Sequence, residues 1–333
     1  MSALLEVRHL TKHYAPSRLW QLAGGKVTKA VEDVSFTIDE GTVFGLVGES
    51  GCGKSTLGRL VLRLLEPTSG EIRFEGRDIT RFSAAELREY RRNAQIVFQN
   101  PYSALNPRRT IEESLSVGYE VYGLAKGRAK RDKLVALLEQ VGLGADVLNR
   151  YPHQFSGGQR QRLGIARALT VEPRFIVADE PVSMLDVSIQ AQVLNLLREL
   201  QKQYKFTLLL ISHDLRVVRH MCDKVGVMYL GRMMELAPKT QLYEQPLHPY
   251  TRALMAAAPD TDLERPFTET AIAGEVWDTA PPPNGCVFTP RCPLAVTECK
   301  NIIPPLEAKA PEHSAACWRV GETHDLARNV IRS

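Results

Sequence analysis

The stretch Gly48-Glu49-Ser50-Gly51-Cys52-Gly53-Lys54-Ser55 fits the pattern G-x-x-x-x-G-K-[ST]. It follows a short apolar run, Thr42-Val43-Phe44-Gly45-Leu46-Val47, and precedes a helical pattern. That order of strand, glycine-rich turn and helix is the context in which the pattern builds a phosphate-binding loop. The glycines Gly48, Gly51 and Gly53 let backbone N–H groups curl round phosphate oxygens, with Ser50 and Cys52 contributing main chain between them. The following helix points its positive end at the same anion. Lys54 supplies a point charge for the β- and γ-phosphates, and the Ser55 hydroxyl a ligand for Mg²⁺.

In Arg174-Phe175-Ile176-Val177-Ala178-Asp179-Glu180, a four-residue apolar run ends in two adjacent carboxylates. At the end of a buried strand, Asp179 is suited to holding Mg²⁺ through water. Glu180 is placed to accept a proton from an attacking water. An isolated pair of this kind would be solvated surface; its place downstream of the loop favours chemistry.

Composition agrees with such an α/β chain. The 333 residues suggest about two domains. Apolar residues at 44% and charged residues at 24% describe an ordinary globular protein, and the net charge of +4 does not suggest a nucleic-acid partner. There is no run of 18 apolar residues and no basic-then-apolar leader, so a cytoplasmic chain without a membrane span is expected.

Along the chain, Leu5–Tyr14 and Val34–Ile38 read as strands. Residues 16–30 read as a loop, in which Leu19-Trp20-Gln21-Leu22 is packing or a partner contact. Residues 95–98 and Phe206–Ser212 read as further strands. Between them, Leu134, Leu137, Leu138 and Val141 recur at helical spacing, and Ile189, Val193, Leu196, Leu197 and Leu200 form another stripe. Lys126, Arg128, Lys130, Arg131 and Lys133 read as a solvated helix face. Alternating strands and helices imply a parallel sheet, here with a helical subdomain inserted at about residues 100–160. Pro281-Pro282-Pro283-Asn284-Gly285 is a stiff turn or linker.

Phe155-Ser156-Gly157-Gly158-Gln159-Arg160-Gln161-Arg162 resembles the signature motif of ABC-transporter ATPases. The resemblance covers residues 5–235 and implies that family's P-loop NTPase fold and ATP hydrolysis. It implies that Ser156, Gly157, Gly158 and Gln159 face the γ-phosphate held by a second ATPase subunit. Gln99, in Val97-Phe98-Gln99-Asn100-Pro101, looks like the Q-loop glutamine, which senses Mg²⁺ and the attacking water. Ser183-Met184-Leu185-Asp186 looks like the D-loop, with Met184 where alanine is usual. His213 looks like the switch histidine, and Tyr14 like the aromatic residue that stacks on adenine.

A further resemblance covers residues 236–333. Leu247-His248-Pro249-Tyr250-Thr251-Arg252-Ala253-Leu254 and the segment from Gly285 to Pro293 look like the C-terminal region of ATPases that power oligopeptide and dipeptide importers. This implies a small accessory or regulatory region. It also implies a second ATPase chain as a heterodimer partner, two separate permease subunits and an extracytoplasmic solute-binding protein. The chain would sit peripherally at the cytoplasmic face of the membrane and drive import of peptides or a related solute. A DNA-repair or ribosome-associated ATPase is the alternative; the first would need a long coiled coil or large insertion, the second usually two cassettes.

Cys286, Cys292, Cys299 and Cys317 give C-x5-C-x6-C-x17-C, without a C-x-x-C knuckle. Soft thiolates in this number suit a metal. Some members of the resembled subfamily carry a 4Fe–4S cluster here, which sets that expectation, with Zn²⁺ or unliganded packing as alternatives and His313 as a bystander. Cys52 sits near a helix N-terminus, which favours a lowered pKa, and thiol alkylation is expected to block ATPase activity, with ATP protecting. Cys222 reads as buried packing.

Overall fold

A computed structural model describes residues 2–15, 27–100, 105–257 and 281–320. The chain opens with β1 (Ala3–Tyr14), β2 (Thr28–Asp39) and β3 (Val43–Val47), followed by α1 (Lys54–Val61), β4 (Ser69–Phe74) and β5 (Arg77–Asp78). Then come α2 (Ala84–Asn93), β6 (Ala94–Val97), α3 (Ile111–Tyr122), α4 (Gly127–Gln140) and α5 (Gly157–Leu169). The middle continues with β7 (Phe175–Asp179), α6 (Val187–Tyr204), β8 (Thr207–Ser212), α7 (Leu215–Met221), β9 (Lys224–Tyr229) and β10 (Arg232–Pro238). The last part holds α8 (Lys239–Glu244), α9 (Pro249–Ala256), α10 (Thr297–Asn301), β11 (Glu307–Ala310) and β12 (His313–Ala315). The Leu19–Leu22 patch lies outside the described residues.

Strands β3, β7 and β8 are buried at every position. Their unbroken apolar runs follow from burial on both faces. Alternation then splits each strand between two cores. Leu209 and Ile211 pack with Phe44, Leu46, Val177 and α1, whereas Leu208 and Leu210 pack with Ile176 and the helices on the opposite side. Each such side chain removed from water contributes about 1.5–3 kcal/mol.

The expected parallel sheet is found in part. Strands β6, β7, β8, β3 and β9 run parallel, but β10, β12 and β11 extend the same eight-stranded sheet antiparallel. The sheet is therefore mixed. A tight turn at Leu230-Gly231 reverses the chain between β9 and β10, a connection that only antiparallel strands allow. A separate antiparallel sheet, in the order β2-β1-β4-β5, covers one face. Of its strands, β1 and the second half of β2 were legible in the sequence as isolated strands, and β4 and β5 were missed.

The helices α3, α4 and α5 form the insertion between β6 and β7. Reciprocal caps start α3 at Thr110/Glu113 and α5 at Ser156/Gln159. Much of the basic run on α4 is solvated, and Lys130 and Arg131 bind Glu120 and Glu112 of α3 at 2.9 and 2.6 Å. The C-terminal region does not stand apart. Tyr250, Cys286, Phe288 and Cys299 pack into the same apolar core as the insertion.

Candidate active site

The parallel strands β3, β7 and β8 end at one edge of the sheet, the place where open α/β folds bind ligands. Val47 there leads into the glycine loop, Asp179 into Glu180, and Ser212 into His213. The loop needs its glycines for close approach. Gly48 has φ +151°, and a Cβ there would lie 2.1 Å from the Met228 carbonyl oxygen. Gly53 has φ +105°, and its Cβ would lie 2.0 Å from the Ala30 carbonyl oxygen. Any side chain at either position would displace neighbouring backbone.

Lys54 is buried and folds back into its own loop. Its Nζ donates to the carbonyls of Gly48 at 2.7 Å and Glu49 at 2.9 Å. The Ser55 hydroxyl donates to Asp179 Oδ1 at 2.8 Å. Burial holds the Asp179 carboxyl above its usual range. A hydroxyl beside a buried carboxylate that lacks enough countercharge is a hard-oxygen donor pair. That chemistry fits Mg²⁺.

Glu180 is held on several sides. Its backbone adopts φ +46°, its N–H donates to Ile211 O at 2.9 Å, and its carbonyl accepts from the Ser183 hydroxyl at 3.2 Å. Gln99 Nε2 donates to Glu180 Oε2 at 2.8 Å and approaches Ser183 Oγ at 3.3 Å. His213 Nδ1 lies 3.3 Å from the same Glu180 oxygen. A left-handed, non-glycine backbone persists only where its surroundings over-determine it.

A pocket of about 770 Å³ opens over the loop. Ser50, Gly51, Gly53, Lys54 and Ser55 line it together with Gln99 and Glu180. Tyr14 is not part of this lining. It is partly exposed, with the Lys12 ammonium 5.2 Å from its ring centroid, and pairs across the strands with Thr28, which does line the pocket. Ser156, Gly157, Gly158 and Gln159 also lie outside the pocket, at the start of α5, where Ser156 and Gln159 are exposed and Gly158 is buried.

Cys52 differs from expectation. The side chain is buried, and burial pushes the thiol up despite the neighbouring Lys54 ammonium. Desolvation outweighs both that charge and the helix end, so the lowered pKa is not supported. Cys222 is fully buried, as read from the sequence.

The expected 4Fe–4S cluster is not supported either, nor is Zn²⁺. Cys286, Cys292, Cys299 and Cys317 do line one small cavity with Phe288 and Pro304. Among the described residues, however, no group of three or more His, Cys, Asp or Glu is placed to hold a metal ion. Burial pushes Cys292 up to about 12 and Cys317 up to about 11, and also raises Cys286. Protonated thiols in an apolar cavity behave as small hydrophobes. Spacing alone could not distinguish that packing from ligation. His313 has a structural place: its Nε2 lies 2.7 Å from Glu235 Oε1, and both are buried. Glu235 also accepts from the backbone N–H groups of Leu247 and His248 at 2.7 and 2.9 Å.

One set of contacts at the site had no sequence signal. Arg291 binds the Glu49 carboxylate, and the Tyr250 hydroxyl accepts from the Glu49 N–H at 3.0 Å. Tyr250 lies in the His-Pro-Tyr segment and Arg291 between two of the cysteines, but nothing linear ties either to residue 49.

Comparison with known proteins agrees with this geometry. The ABC transporter family profile matches residues 31–183, and the profile of the oligopeptide/dipeptide transporter C-terminal region matches residues 234–299. A putative peptide import ATP-binding protein of Brucella ovis is 51% identical over 316 residues, covering 95% of this chain and 98% of that one. The oligopeptide transport ATP-binding protein AppF of Bacillus subtilis is 51% identical over 318 residues, covering 94% and 96%. Among solved structures, a dimeric post-hydrolysis ATP-binding cassette bound to ADP and Pi superposes with a TM-score of 0.63 at 28% identity, covering 71% of this chain and 98% of that one. With the phosphate loop, the paired carboxylates and the switch-type histidine at one sheet edge, and with relatives matched over nearly their whole length, the chain belongs to the ABC transporter ATPases that carry an oligopeptide/dipeptide-transporter C-terminal region.

Proposed function

We propose that this chain is the ATP-hydrolysing subunit of an importer for peptides or a related small solute. The convergence of Gln99, Glu180 and His213 beside the Lys54 loop carries the reading. Lys54 exchanges its loop carbonyls for the β- and γ-phosphates, while the N–H groups of the Gly48–Ser55 loop cradle them. Glu180 takes the proton of the attacking water, and Gln99 and His213 fix that water and the γ-phosphate. Ser55, Asp179 and Gln99 are the residues that would hold Mg²⁺. Bound Mg²⁺ supplies charge neutralisation at the transferring phosphoryl group. Tyr14 offers its ring to adenine from beside Thr28.

The signature residues Ser156, Gly157, Gly158 and Gln159 complete the site of a second ATPase subunit. Their place at a helix start outside their own pocket, with Ser156 and Gln159 exposed, supports this, as does the dimeric state of the matched cassette structure. A heterodimer partner, two permeases and an extracytoplasmic solute-binding protein complete the assembly at the cytoplasmic face of the membrane. No helix among the described residues is long and apolar enough to cross a membrane. A groove of about 340 Å³ between α3 and α5, rimmed by the exposed Val117 and Val121, suits a short permease helix. Residues 5–235 act as the ATPase unit and 236–333 as its accessory region. The names of the relatives from Brucella ovis and Bacillus subtilis support peptides as the solute. The DNA-repair alternative needs a coiled coil, and the longest helix among the described residues is α6, with 18 residues.

The test is import of labelled peptides into vesicles carrying the co-expressed permease, ATPase and binding-protein partners. Uptake should require ATP and be lost in a Lys54→Ala variant. ATP-independent uptake, or uptake surviving that change, would overturn the reading.

A further inference from the structure

Glu49 places a carboxylate on the second residue of a loop that binds anions. Left unpaired, it would repel a triphosphate within the roughly 8 Å over which charges act at physiological salt. Arg291 answers it. One guanidinium nitrogen lies 3.0 and 3.2 Å from the two Glu49 oxygens and 3.2 Å from the Tyr229 hydroxyl. The Arg291 side chain is only 8% exposed and the Glu49 side chain 19%, so salt screens the pair weakly. The backbone of Glu49 is held as well, since its N–H donates to the hydroxyl of the fully buried Tyr250. Both anchors belong to the C-terminal region. The same region supplies Pro281, Pro282, Pro283, Val287 and Ile303 to the wall of the pocket.

We propose that Arg291 is a positioning residue that acts through Glu49, neutralising its charge at the phosphate loop, so that the C-terminal region sets the nucleotide affinity of the site. The proposal rests on the reading of that loop as the ATP site. Arg291 does not line the pocket, and its effect passes through Glu49. Coupling of this kind is reciprocal: whatever displaces the C-terminal region weakens nucleotide binding, and nucleotide in the loop steadies the region.

The experiment measures the ATP dissociation constant, KM and kcat of the full chain and four variants. Arg291→Met should weaken ATP binding and raise KM roughly 5- to 50-fold, with kcat close to that of the parent. Arg291→Lys keeps the charge and should recover most of the affinity. The double variant Glu49→Gln/Arg291→Met has no stranded anion and should bind ATP nearly as the parent does. Glu49→Gln alone should bind at least as tightly as the parent, and it tests the proposal even if Arg291→Met does not fold. Unchanged affinity in Arg291→Met overturns the proposal, as does a double variant as weak as Arg291→Met, or weakened binding in Glu49→Gln. A Lys54→Ala control separates the two levels: if it binds ATP normally, the reading of the loop fails, whatever Arg291 does.

Discussion

Gln99 and Glu180 share a hydrogen bond of 2.8 Å although 81 positions separate them. The bond ties the end of β6 to the end of β7, and so ties the start of the helical insertion to the carboxylate proposed to take the water's proton. Movement of the insertion therefore shifts a group that touches Glu180. The carboxylate cannot simply follow, because its own backbone is pinned in the left-handed region by Ile211 and Ser183.

Glu180→Gln keeps the side-chain volume and removes the base. Phosphate release should fall roughly 10²- to 10⁴-fold while ATP binding persists. Closed dimers should then accumulate on a sizing column run with ATP. Turnover at the parent rate would remove Glu180 from its proposed role.

Asp179→Asn removes the buried negative charge beside Ser55. The Mg²⁺ concentration giving half-maximal ATPase should rise roughly 10- to 100-fold. A Mg²⁺ titration at saturating ATP reads this directly. An unchanged midpoint would place the cation elsewhere.

Burial lowers the His248 pKa to about 4 from the usual 6.5. The ring is neutral in the fold, where its Nδ1 accepts from the Tyr250 N–H at 3.0 Å. The unfolded chain binds the extra proton first, so stability falls as pH drops from about 6.5 to about 4 and is fully present above that window. The full contribution is of order 3 kcal/mol. His248→Asn keeps an acceptor for Tyr250 but does not titrate. Thermal unfolding between pH 4.5 and 7 should show a shallower loss in this variant than in the parent.

Phe288 meets Tyr229 edge-on at 5.5 Å and Tyr250 at 5.4 Å, and is almost wholly buried. Phe288→Ala should cost about 3–5 kcal/mol in urea unfolding. A loss below about 1 kcal/mol would mean that the surrounding side chains collapse into the space.

What was legible in the sequence is what short linear patterns can carry. Gly48–Ser55 and Asp179-Glu180 each follow an apolar run that marks them, whereas Gln99 and His213, though also just beyond strand ends, were singled out by the resemblance to ABC-transporter ATPases. The buried strands β3, β7 and β8 were legible within a residue for the same reason. Pairing across the chain was not. Nothing in Glu49 points to Arg291, and nothing in Arg232–Pro238 announces that it will pair with β9 on one side and β12 on the other. The cysteines misled because spacing reports how many thiols there are but not how they are placed, and among the described residues they are not placed to hold a metal ion. Cys52 misled likewise: a helix end and a lysine are visible in sequence, and the desolvation that outweighs them is not.

The Glu49–Arg291 pair spans 242 positions. At a synthesis rate of about 5–20 residues per second, the ribosome makes the phosphate loop roughly 10–50 s before residue 291 exists. During that interval the loop carries its acidic residue without the countercharge. β10 likewise waits for β12 before the sheet acquires its outer strands. A nascent chain thus matures its nucleotide site last, once the final segment has docked, and premature termination before residue 291 leaves a cassette whose loop still holds an unanswered negative charge.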